Sequence, residues 1–161
     1  MPIPAPNLYP PFNIVRLSHV ELAVTDLDAS RAFYVDTLGL QVTDEEDGAL
    51  YLRAMEERGH HCLVLRKGPE PVANALGFKL FDEPDLERAE RFFTERGRPV
   101  EWIERPYQSR TMRTSCPQGI PLEFYTRMER LPLIHQQYKL YRGVKPLRID
   151  HFNCFSPDVD E

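Results

Sequence analysis

The run His19-Val20-Glu21-Leu22-Ala23-Val24-Thr25-Asp26 sets a histidine and an aspartate seven residues apart, and His151-Phe152-Asn153-Cys154-Phe155-Ser156-Pro157-Asp158 repeats that spacing. Both runs read as strands that end in a turn. Side chains alternate along a strand, so His19 shares a face with Glu21, and His151 with Asn153. After the first run, Thr25-Asp26 breaks the strand and offers a helix cap. Residues 27–38 then place Leu27, Phe33, Tyr34 and Leu38 in an approximate helical stripe, which Gly39 closes. Residues 40–44, 49–55 and 62–66 read as strands, with Asp47-Gly48 as a hairpin turn between the first two.

The order strand, helix, three strands then recurs. Residues 75–81 read as a strand. Asp82 caps a helix with Pro84 in its first turn, where proline is tolerated, and the helix runs to about Arg96 before Gly97. Residues 100–103, 111–115 and 122–126 supply three more strands. The predicted fold is therefore α+β: two tandem βαβββ modules, residues 14–70 and 71–127, forming a curved, mainly antiparallel sheet around a pocket. Pro2, Pro4, Pro6, Pro10 and Pro11 make residues 1–13 an extended arm. Residues 128–146 form a connector. Residues 147–161 open with a further strand, apolar and without a partner of its own. The expectation is that the natural polypeptide continues past Glu161 for roughly 150–200 residues, the size of another two-module domain.

Composition bounds the function. Of the 161 residues, 42% are hydrophobic and 28% charged, which suits a globular chain. No apolar run reaches the roughly 20 residues that span a bilayer, and no secretory leader is evident. The expectation is a cytoplasmic protein without a membrane partner. The net charge of −5 and the lack of a dense basic run argue against nucleic acid. Cys62, Cys116 and Cys154 are too few and too widely spaced for a disulfide framework or a structural zinc site.

The strand with an early His (His19 to Asp26), then Ser30-Arg31-Ala32-Phe33-Tyr34, then Leu38-Gly39-Leu40, resembles the vicinal-oxygen-chelate superfamily. Residues Arg53-Ala54-Met55-Glu56-Glu57, His60-His61-Cys62-Leu63-Val64-Leu65 and 147–158 are similar to the extradiol ring-cleaving catechol dioxygenases of the homoprotocatechuate (3,4-dihydroxyphenylacetate) 2,3-dioxygenase type. That resemblance implies four modules in two domains, with the metal in the C-terminal pair. Its ligands are a His on the first strand of the third module, a His on the first strand of the fourth, and a late Glu. Only the first has a counterpart here, His151, with Asn153 as a neighbouring hydrogen-bonding group. The implied cofactor of the intact enzyme is Fe(II) or Mn(II), held by two His and one carboxylate with positions left open. Catechol and dioxygen are the implied reactants, both brought to one metal. A homo-oligomer is expected, and the chain by itself is expected to hold no metal and to be inactive.

In the first two modules the corresponding positions are His19, a residue near Ala75, and Glu123. The alanine supplies no donor, so the pattern reads as a degenerate site. His19 is either a structural histidine or a ligand, and Glu123 either faces the pocket or solvent. His60 and His61 are expected to straddle the start of a strand, one pointing inward and one outward. Two other readings stay open: a two-module glyoxalase-like metalloenzyme using His19 and Glu123, or a metal-free small-molecule binding protein.

Overall fold

Two long strands, paired antiparallel at the centre of one sheet, join the two repeats. The structure is a computed structural model that describes residue 6 and residues 8–46 and 48–155. Strand β1 (Ile14–Val24) leads through helix α1 (Leu27–Arg31) to β2 (Gln41–Glu46), β3 (Ala49–Arg53) and β4 (Leu63–Lys67). The second repeat is β5 (Val72–Leu80), α2 (Glu83–Glu95), β6 (Glu101–Ile103), β7 (Thr111–Ser115) and β8 (Pro121–Tyr125). The eight strands form one sheet in the order β2-β3-β4-β1-β5-β8-β7-β6. Only β1–β4 and β5–β8 are parallel; the other neighbours are antiparallel. The predicted α+β architecture of two βαβββ modules in a mainly antiparallel sheet is the one observed.

Local chemistry sets the element ends. The Asp26 carboxylate accepts from the Ala29 backbone N–H at 2.9 Å, and Asp82 does the same for Asp85 at 3.0 Å. Both caps sit where the sequence pattern put them. The predicted helix 27–38 is α-helical only through Arg31; Ala32–Thr37 is a π-helical stretch, closed by Leu38 N–H donating to the Phe33 carbonyl at 2.9 Å. The wider turn rotates the stripe, which is why Phe33 points outward while Tyr34 and Val35 pack on the core. Gly39 adopts φ +87°, and a Cβ there would collide with the Arg142 carbonyl, so the connector passes directly beneath the helix end.

The sheet has two unlike faces. On one, α1 and the π-helical stretch after it cover Leu50, Leu52, Leu63 and Leu65, and α2 covers Leu80, Met112 and Phe124. Among the described residues, the opposite face carries no helix and holds the polar and charged side chains described below. The end of the proline-rich arm docks on its own chain: Phe12 meets Phe92 edge-on at 5.4 Å and Phe124 at 5.8 Å. The Asn13 backbone N–H donates to Asp85 at 3.0 Å. Among the described residues no helix is long and apolar enough to cross a membrane.

One expectation fails. Residues 147–155 form no strand, and the predicted turn at residues 156–158 lies outside the described residues, as does Asp47 of the hairpin turn. Among the described residues, the backbone hydrogen bonds at its start run from Met55 N–H to the Pro146 carbonyl, just before the segment, and from Glu56 N–H to the Leu147 carbonyl. Alternating apolar residues make a strand only where a neighbouring ladder accepts them, and none of the described strands runs beside residues 148–155.

Truncating Phe12 to Ala is expected to destabilise the fold by about 3 kcal/mol, the lower end of the cost of emptying a buried aromatic site. Urea unfolding of the variant measures it; an unshifted midpoint means the arm end contributes nothing to the core.

Candidate functional site

The helix-free face converges on His19. Register places Glu123, Gly77 and His19 side by side on β8, β5 and β1, with Glu21 opposite Ala75 one step further on. Ala75 precedes its capping aspartate, Asp82, by seven residues, as His19 precedes Asp26. Ala75 is therefore the middle position of the predicted triad, fully buried and without a donor atom. The ring of His19 lies over Gly77, where any Cβ would overlap it. Glycine here is required by close approach rather than by backbone angle.

The carboxylate of Glu123 does not face solvent; it is 1% exposed. It is held by Arg105, which donates from Nε at 3.2 Å and from Nη2 at 2.5 Å, with Arg113 Nε at 3.9 Å. Arg105 also stands 3.8 Å from Glu21, whose carboxylate accepts from Asn74 at 3.2 Å and Arg66 at 3.4 Å. Burial would lower the pKa of Arg105, but the hydrogen bond and charge of Glu123 override it and raise it. The guanidinium is thus a fixed internal cation. The space left between His19, Glu21, Tyr51 and Arg105 is about 10 Å³, no more than a single water requires.

Three histidines line the adjoining wall. His19 is buried, and its Nδ1 has no hydrogen-bond partner. Burial pushes its pKa down to about 4, against the opposing pull of Glu21 and with a further push from Arg105. His60 and His61 are both buried, not one inward and one outward as alternation suggests, because β4 begins only at Leu63. Their Nδ1 atoms lie 3.2 Å apart, so one donates and the other accepts. Burial lowers the pKa of both. Tyr107 stacks on His60 at 3.5 Å and donates to Asp44. Nothing in the sequence pattern singled out Arg105, Arg113 or Tyr107: Arg105 and Tyr107 sit in the loop after β6, where no periodicity marks a side chain as inward.

The other predicted site residues lie apart from this face. His151 is exposed, with Nδ1 3.7 Å from Asp150 Oδ2, and Asn153 is exposed beside it. Phe152 reaches back to Phe78 at 6.3 Å. Among the described residues, no three His, Cys, Asp or Glu side chains are placed to hold a metal ion.

Residues 16–124 match the glyoxalase, described as the Glyoxalase/Bleomycin resistance protein/Dioxygenase superfamily. The chain is 27% identical to the "Manganese-dependent 2,3-dihydroxybiphenyl 1,2-dioxygenase" of Geobacillus genomosp. 3, covering 92% of this chain and 50% of that protein. It is 32% identical to the "Metapyrocatechase" of Pseudomonas sp. (strain CF600), covering 91% and 51%. The solved structure of homoprotocatechuate 2,3-dioxygenase from Arthrobacter globiformis superimposes with a TM-score of 0.89 at 38% identity, covering 96% of this chain and 49% of that one. The chain spans about half the length of the relatives it matches.

Two outcomes test this electrostatic arrangement. Arg105→Ala leaves the buried Glu123 carboxylate without its main partner and is expected to cost about 3–5 kcal/mol in urea unfolding, with Glu123→Gln in the same background recovering part of the loss. An Arg105→Ala protein as stable as wild type contradicts the role given to the ion pair. Independently, His19 has a folded pKa below its unfolded value, so the unfolded chain binds more protons between about pH 6.5 and 4. The histidine's contribution is fully present above pH 6.5 and is lost as pH falls towards 4, on the order of 3 kcal/mol in all. Unfolding free energies measured from pH 7 to 4.5 should fall more steeply in wild type than in His19→Gln.

Proposed function

We propose, from the premise that this chain belongs to the Glyoxalase/Bleomycin resistance protein/Dioxygenase superfamily, that it forms the two-module N-terminal half of an extradiol ring-cleaving catechol dioxygenase. The observation that supports this reading is the superposition of 96% of this chain on about half of a homoprotocatechuate 2,3-dioxygenase, at 38% identity. The substrate is taken to be a catechol bearing a short acidic side chain, of the 3,4-dihydroxyphenylacetate type. The 2,3-dihydroxybiphenyl 1,2-dioxygenase and the metapyrocatechase reported above match this chain at 27% and 32% identity.

The first two modules serve this function as scaffold rather than as a metal centre. A divalent ion at the His19 position would meet Arg105 where it needs an open site, a carboxylate already neutralised, and alanine where a donor is required. The described residues therefore do not fit the Fe(II) or Mn(II) that the family implies. His151 is the one residue assigned as a ligand, with its remaining partners outside the described residues. Asn153, two residues on, is assigned to the same pocket as a hydrogen-bonding neighbour. Its exposure, and that of His151, leaves both available to a further module. The intact protein is taken to be a homo-oligomer that consumes a catechol and dioxygen.

The test is oxygen uptake by the whole protein, loaded with Fe(II) or Mn(II), on 3,4-dihydroxyphenylacetate. Activity is expected, and His151→Ala is expected to lower it by more than about 100-fold, beyond the effect of losing a supporting group around a metal. The 161-residue chain alone should consume no dioxygen. Full activity of the whole His151→Ala protein sinks the assignment.

A further inference from the structure

A second cavity opens on the helix-free face, next to the His19 site and separate from it. It has a volume of about 540 Å³, within the range of sites for small organic ligands. Its floor is the hydrogen-bonded pair Ser18 and Tyr125, with His61 as the wall shared with the His19 site. Two hydroxyls joined by one hydrogen bond leave one O–H proton for a third partner. Burial pushes the Tyr125 phenol up to about 12, so it keeps its proton.

The charge around this cleft is unlike that of the chain as a whole. The net charge of the protein is −5, yet five cations face the cavity. Its two carboxylates are already engaged: Glu57 takes both oxygens to Arg16, at 2.7 and 2.6 Å, and Glu56 pairs with Arg148 at 3.6 Å. Arg58, Lys79, Arg127 and Arg130 have no ion-pair partner among the described residues. Moreover, Arg16 stands directly opposite Lys79 across the β1–β5 ladder, and Lys79 opposite Tyr125 across β5–β8. Like charges facing each other across a ladder destabilise a sheet. A concave rim of one sign also concentrates its field into the cavity. Both features are relieved by an anion.

We infer that this cleft binds a small organic polycarboxylate. The four unpaired cations line a cavity of about 540 Å³, far more space than a single compact anion fills. That suits carboxylates spaced along a short carbon skeleton better than a single compact anion. Arginine forks match carboxylates in two-point contacts, and the Ser18–Tyr125 pair supplies a neutral donor at the floor. This site does not depend on ring cleavage and needs no metal.

Calorimetric titration with citrate tests it, in low salt and again in about 0.3 M salt. One citrate per chain is expected, weakened at least ten-fold by Arg127→Gln/Arg130→Gln and weakened also by the added salt. Both arginines are exposed, so the double variant should keep its circular dichroism spectrum, which is the check on folding. Inorganic phosphate is expected to bind more weakly than citrate, and neutral catechol not at all. The inference is overturned if citrate gives no binding, if the folded double variant binds it equally well, or if phosphate matches it.

Discussion

The antiparallel pairing of β1 with β5 is the contact on which both halves of the molecule depend. Among the described residues, each βαβββ repeat has a single helical segment, and it packs against the strands of its own repeat. A four-stranded piece with one small apolar cluster is marginal alone. Joining the central strands turns two such pieces into one eight-stranded sheet with two linked cores. The same pairing decides where chemistry can occur. It lays His19 across Gly77, places Glu123 one strand away, and leaves the whole row on the face that no helix covers.

That face shows how a buried carboxylate is stabilised by an internal cation. A buried carboxylate such as Glu123 needs a positive partner, because transfer of an uncompensated charge from water costs several kcal/mol. Arg105 supplies that partner from the loop after β6 and also reaches Glu21. The neighbouring imidazoles answer the same problem differently. His19, His60 and His61 avoid the cost of burial by remaining neutral, as their lowered pKa values record. Cations and neutral rings thus divide the interior of the face between them.

Two bulged steps in β1 shape the surroundings. The register shifts between Ile14 and Arg16 and again between Leu17 and His19. An extra residue in one strand re-aims the side chains around it. Here Arg16 and Ser18 face the larger cleft while His19 faces the small plugged void, although strict alternation would set Ser18 and His19 on opposite sides. One face therefore carries two adjoining but different environments, one closed by an internal ion pair and one open and rimmed by unpaired cations.

The repeat, the helix caps and the succession of elements along the chain were legible in the residues themselves, because periodicity, capping aspartates and turn glycines act over a few residues. Asp26 and Asp82 cap their helices as expected, and Ala75 holds the donor-free middle position. The apolar alternation of residues 147–155 was equally legible but did not become a strand, since a strand exists only with a neighbour to complete its ladder. Burial of both His60 and His61 was also hidden, because β4 starts after them and alternation does not govern a loop. Least visible was Arg105, which reaches Glu123 from 18 residues away in the chain. Sequence alone thus determined the modules and the candidate donors, which follow from short-range pattern. Tertiary structure alone decided which charges meet, because ion pairing in a buried face depends on side chains that only folding brings within a few ångströms.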